Sequence, residues 1–189
     1  MKARAADFVR IFTNDFFNAA AIIGRHPLIL IINNWRLLMG ILIVEDDDDQ
    51  RNAMERLIKN DGHRDVLTAE SGEKALSLLT YGPGIQLDLI FLDIYMPKID
   101  GIESCVRIRK DARYRTIPIV ITTAIADMKT VDRALKSGAT DYLTKPLKVV
   151  DFLACVRAKL RLQAELELRN LLQGELASNF QQLGTLAGR

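Results

Sequence analysis

The sequence predicts an α/β domain: a doubly wound, five-stranded parallel sheet with a C-terminal helical extension. Five short apolar runs recur between about residues 40 and 160, and stretches of roughly helical length separate them. Three of the runs are nearly continuous in apolar residues, as expected of strands covered on both faces. Repeated β-then-α units imply parallel strands joined by right-handed crossovers.

In chain order the strands are Ile41–Glu45, Asp65–Ala69, Leu87–Asp93, Ile117–Thr123 and Asp141–Thr144. Helices are read at Gln50–Asn60, Ser71–Leu79, Met128–Ser137 and Val149–Leu160; the segment after the third strand counts as a further unit without bounds. Gly62, Gly82, Gly84, Gly101 and Gly138 supply breaks near element ends. With 189 residues there is room for one ordinary domain and extensions, or at most two very small domains. The divisions are 1–38, 39–160 for the domain, and 161–189.

A hydrophobic content of 49% suffices for a core, and a net charge of +2 gives no general case for nucleic-acid binding. Cys105 and Cys155 have no paired spacing, which suits reduced thiols and a cytoplasmic protein. His26 and His63 have no metal-ligand pattern around them and read as structurally ordinary.

In residues 1–38, Phe8, Ile11, Phe12, Phe16, Ala19 and Ile23 share a helical face. Two readings stand for this segment: a docking or membrane-surface helix, or an extension upstream of a start at Met39. Its apolar stretches fall short of the ~20 residues that span a bilayer. At the other end Leu162, Leu166, Leu176, Phe180 and Leu183 follow a 4-3 spacing, with Arg169 and Gln173 in the seam. That short, imperfect heptad pattern favours a homodimer contact or a signal-transmitting helix over one that only covers its own domain.

Chemistry gathers at one predicted edge, since doubly wound folds place sites at the carboxyl ends of their strands. Glu45 and Asp46 follow the first strand and Asp93 ends the third. Three neighbouring carboxylates repel one another unless a hard cation joins them. Mg2+ prefers oxygen ligands and commonly pairs one or two carboxylates with a phosphate. Thr123 and Lys145 end the fourth and fifth strands and could hold phosphoryl oxygens. Asp93 would then be the nucleophile. A strand-terminal Asp, Thr or Lys alone is more often a cap or turn residue; all of them ending strands of one sheet is harder to assign to chance.

The stretches Ile41–Asp47, Leu89–Gly101, Ile117–Ala124 and Gly138–Pro146 resemble the motifs of response-regulator receiver domains, in order and at that family's spacing over about 120 residues. The resemblance implies a flavodoxin-like sheet of order 2-1-3-4-5. It implies that Asp93 accepts a phosphoryl group from a histidine kinase or histidine phosphotransfer protein, switching a surface that binds a downstream protein. Asp46, Asp93, the Tyr95 carbonyl and, through water, Glu45 would hold Mg2+. Thr123 and Lys145 would contact the phosphoryl group, Thr123 and Tyr142 would form the switch, and the bond before Pro146 is expected to be cis.

Some positions depart from the pattern. Glu45 replaces the more frequent aspartate but keeps the charge. Asp47, Asp48 and Asp49 read as the solvated start of a helix. Cys155 stands where regulators with paired receivers usually carry an arginine that bridges to the position of Asp141, so that ion-paired dimer is not expected. Tyr95 and Ile125 are expected to shield an aspartyl phosphate from water and slow its loss.

Three competing readings fare worse. A phosphorylation-independent scaffold has no need of the full Asp46, Asp93, Thr123 and Lys145 set. A phosphohydrolase wants an acid shortly after its nucleophile, where Tyr95 stands. A nucleotide- or flavin-binding domain wants a glycine-rich loop after the first strand, which is absent. The residues after Leu160 are too few for an output module of usual size, leaving a single-domain regulator or part of a longer one.

Overall fold

The three continuous apolar runs are short and rich in β-branched residues, and as strands of a sheet covered on both faces they remove every side chain from water. The computed structural model describes residues 39–81, 86–124 and 127–187, with side chains beyond Leu166 described only in part. Its elements are β1 (Ile41–Val44), α1 (Asp48–Asn60), β2 (Val66–Ala69), α2 (Gly72–Tyr81) and β3 (Leu89–Asp93). There follow α3 (Gly101–Lys110), a 3-10 turn at Ala112–Tyr114, β4 (Ile119–Thr123), α4 (Met128–Lys136), β5 (Asp141–Thr144) and α5 (Val149–Ala187). The expected N-terminal amphipathic helix, His26 and Ile125 lie outside the described residues. Leu176, Phe180 and Leu183 of the proposed seam lie on α5, but their side chains are outside the described set; Leu162 and Leu166 are exposed.

The five strands are parallel and ordered β2-β1-β3-β4-β5. The three continuous apolar runs are the central strands β1, β3 and β4, buried at every residue. The edge strands β2 and β5 are only partly buried, which matches their more mixed sequence. The sheet and its helices, as far as Gln163, form one compact unit, and α5 from Ala164 belongs to another.

Helices cover the sheet with short apolar stripes. Met54 and Ile58 of α1 are buried, as are Cys105 and Ile108 of α3. Phe152, Val156 and Leu160 on α5 recur every fourth residue and are fully buried. The Phe152 ring packs on Phe91 with centroids 4.9 Å apart. Burying each such side chain contributes about 1.5–3 kcal/mol.

Helix starts are set by side chains. Asp47, Asp100 and Asp127 cap α1, α3 and α4, each accepting a main-chain N–H from the first turn. The acidic run after β1 is thus a capped helix start, with Asp48 and Asp49 in its first turn. Gly101, read from sequence as a break, opens α3. A Cβ there would lie 2.1 Å from the Asp93 carbonyl oxygen, so only glycine lets α3 begin against β3.

Candidate functional site

Register brings the expected residues to one edge. Val44 pairs with Leu92, so Glu45 and Asp93 follow side by side on adjacent strands. Asp93 pairs with Thr122, and Thr123 pairs with Thr144, which places Lys145 one step beyond. The ladder continues past β5 through the Lys145 N–H, which donates to the Thr123 carbonyl at 2.8 Å. A single cleft is lined by Glu45, Asp46, Asp47, Gln50, Asp93, Tyr95, Ala124 and Lys145.

Within it, Lys145 Nζ donates to Glu45 Oε1 at 2.9 Å and lies 2.8 Å from Oε2. The same ammonium is 3.2 Å from Asp93 Oδ1. Oxygens of Glu45, Asp46 and Asp93 all fall within 4.8 Å of one another, the one such acidic group among the described residues. Glu45 and Asp93 are buried, whereas Asp46 is exposed at the cleft mouth.

Burial raises the Glu45 carboxyl above its ordinary range; the Lys145 hydrogen bond opposes this, and the charge of Asp93 adds to it. Burial also raises Asp93, with Lys145 opposing and Asp46 adding. Burial alone would lower the Lys145 ammonium, but its bond to Glu45 and the charge of Asp93 outweigh that and raise it. One lysine shared by two crowded acids does not fully relieve them. Glu45 Oε2 and Asp93 Oδ1 are buried at ion-pair distance from Lys145, yet accept no well-directed hydrogen bond. Oxygen donors with spare lone pairs, clustered around one opening, fit a hard divalent cation such as Mg2+.

The other expected residues are placed as follows. Tyr95 lines the cleft and is 50% exposed. Thr123 ends β4 at the same edge but is buried, and Ala124 faces the cleft instead. Tyr142 on β5 is 39% exposed, an outward position. The Lys145-Pro146 peptide is cis. Asp141, the expected partner of an arginine at position 155, is met within the chain by Lys159 Nζ at 2.7 Å. His63 is fully buried near Asp61 and, among the described residues, belongs to no acidic or thiol cluster.

Two features escaped the sequence reading. The direct Glu45–Lys145 contact was not anticipated, because it depends on how far the longer acid reaches. Arg51 was not singled out, yet its Nη1 donates to the Glu45 carbonyl at 2.8 Å. A cation in the first turn of a helix runs against the helix dipole, and that was the available signal.

Comparison with known proteins identifies the family and the fold. Residues 41–157 match the family model for the response regulator receiver domain, and the chain belongs to that family. It is 44% identical over 124 residues to the transcriptional regulatory protein AfsQ1 of Streptomyces coelicolor, covering 65% of this chain and 51% of that protein. It is 32% identical over 108 residues to a chemotaxis protein CheY homolog of Campylobacter jejuni, covering 57% of this chain and 82% of the relative. The crystal structure of a two-component response regulator from Clostridium difficile superposes with a TM-score of 0.59 at 33% identity, covering 65% of this chain and 96% of that one. The chain spans about half the length of the curated transcriptional regulators it matches first.

Proposed function

We propose that this chain is the phospho-accepting regulator of a two-component phosphorelay and that Asp93 carries the phosphoryl group. The observation that carries the proposal is the meeting of Lys145 with Glu45 and Asp93 in a cleft that also holds the Asp46 carboxylate. The donor is a phosphohistidine on a histidine kinase or histidine phosphotransfer protein. An oxygen of Asp93 bonds to phosphorus as the phosphorus–nitrogen bond breaks, and the protonated imidazole of the donor leaves as neutral imidazole.

Asp46, Asp93 and the Tyr95 carbonyl would hold Mg2+, with Glu45 acting through water. When bound, that ion supplies positive charge against the crowded carboxylates and the transferred oxygens. Lys145 pairs with a phosphoryl oxygen, and Thr123 donates its hydroxyl to another. Movement of Thr123 leaves room for Tyr142 to turn inward, which alters the surface around β5 offered to a downstream protein.

On this reading residues 39–160 are a cytoplasmic switch that catalyses only its own phosphorylation and slow dephosphorylation. Residues 161–189 supply a helical homodimer contact or a link to an output partner. Among the described residues no helix is long and apolar enough to cross a membrane. Incubation with acetyl phosphate and Mg2+, read by intact mass, tests the central step. The expected result is a gain of one phosphoryl group, lost in Asp93→Asn; no gain in the wild-type chain, or a gain undiminished in that variant, overturns it.

A further inference from the structure

Arg51 occupies the fourth position of α1, where a cation opposes the positive end of the helix dipole. Its surroundings explain why it is there. The Nη1 donates to the Glu45 carbonyl at 2.8 Å and reaches the Asp46 carbonyl at 3.5 Å. The Nη2 pairs with the Asp48 carboxylate, one turn earlier on α1. The Arg51 side chain is 15% exposed and its bond to the Glu45 carbonyl is partly buried, whereas Asp48 lies on the solvent side.

The loop from Glu45 to Asp47 changes direction between β1 and α1, and it carries two of the three clustered carboxylates. Its carbonyls cannot all be satisfied by the sheet, which ends at Val44, or by the helix, which starts at Asp48. A planar guanidinium can serve several acceptors from one fixed fork, which an ammonium cannot do. With its carbonyls turned toward Arg51, the loop is held so that the acidic side chains share the opening beside Asp93. Asp48 meanwhile takes up the guanidinium charge, so that the brace adds little repulsion toward a cation in the cleft.

We infer that Arg51 is a positioning residue for the divalent-cation site: it holds the Glu45–Asp46 main chain, and so sets how tightly Mg2+ binds. This inference rests on the metal-site reading above, because a brace matters only if the loop it holds is used. It makes a prediction of unusual sign. Removing a positive charge near an acidic site should, on electrostatics alone, tighten cation binding. Loss of a brace should weaken it.

The test is calorimetric titration of Mg2+ into the full chain, for the wild type, Arg51→Lys, Arg51→Met and Asp46→Asn. Positioning residues around metals typically set affinity by 10-fold or more, so Arg51→Met is expected to weaken Mg2+ binding about tenfold. Arg51→Lys, which keeps the charge but loses the fork, should fall between it and the wild type. Unchanged or tighter binding in Arg51→Met overturns the inference. If Arg51→Met fails to fold, Arg51→Lys decides: weakened binding supports the brace, and wild-type affinity removes it. Asp46→Asn separates the two readings. If it leaves Mg2+ affinity untouched, the metal site itself is wrong; if it abolishes binding while the Arg51 variants are unaffected, only the brace is wrong.

Discussion

Lys145 donates a hydrogen bond to Glu45 across 100 residues of sequence, with Nζ 2.9 Å from Oε1. The ammonium therefore sits closer to the unusual glutamate than to Asp93, at 3.2 Å. Glu45 competes with Asp93 for the lysine they share. That competition leaves both acids destabilised as anions.

Glu45 and Asp93 both titrate above their ordinary values because burial disfavours their charged forms. The folded chain then binds protons more tightly than the unfolded chain, so these groups lower stability as pH rises from about 4 through their raised values. In EDTA at pH 7, Asp93→Asn should raise the melting temperature. After discounting for solvent at the cleft mouth, about 1 kcal/mol or about 3 °C is expected. The gain should shrink toward pH 4 and be offset by Mg2+, which stabilises the wild type more. Thermal melts across pH with and without Mg2+ check this; a gain that grows as pH falls would contradict it.

Tyr95 is half exposed at the rim of the cleft. On the proposed reading, an aromatic ring there would obstruct water approaching in line with an aspartyl phosphate. Tyr95→Asn should shorten the lifetime of phosphorylated protein about tenfold, equivalent to about 1.4 kcal/mol of barrier. Decay followed by intact mass in Mg2+ buffer gives both rates, and equal rates remove the shielding role.

Gly101→Ala places a methyl group where the Asp93 carbonyl oxygen already lies. Neither β3 nor the capped start of α3 can easily give way. A loss of about 3 kcal/mol is expected in urea unfolding, together with slower phosphorylation of Asp93. Wild-type stability and rate would show that the helix start can shift freely.

The packing of α5 on the sheet should depend on apolar contact more than on charge. Phe152 is fully buried against Phe91, whereas Arg157 pairs with Asp61 from a half-exposed position. Phe152→Ala should cost about 3–5 kcal/mol in chemical unfolding. Arg157→Ala should cost far less, and more of that cost should vanish in high salt. The reverse ranking would mean that the ion pair anchors the helix.

The sheet and its site edge were legible because strand burial leaves a direct imprint. The runs Ile41–Val44, Leu89–Leu92 and Ile119–Ile121 are apolar at every position, and they prove to be the three central strands. Once those strands are parallel and adjacent, Glu45, Asp93, Thr123 and Lys145 have little choice of edge. The bounds of the helix Gly101–Lys110 are not legible in sequence because its opening glycine reads as a break; the requirement for glycine comes from β3, not from the helix itself. Arg51 was missed for a related reason. Bonds from a side chain to loop carbonyls follow no period, and sequence gives no hint of which carbonyls a turn leaves exposed. The outward placement of Tyr142 is a matter of tertiary packing and carries no trace in residue order.

The seat of Asp93 behaves as an anvil. Its strand is covered on both faces, flanked by β1 and β4, and blocked from behind by the helix start at Gly101. On the proposed reading, a group added to this carboxylate would not readily drive its own backbone away, and accommodation would fall to the looser margins of the sheet. The sheet has two such margins, β2 and β5, each paired on one side only and partly open to solvent, and β5, which bears Tyr142, is the one bonded to β4.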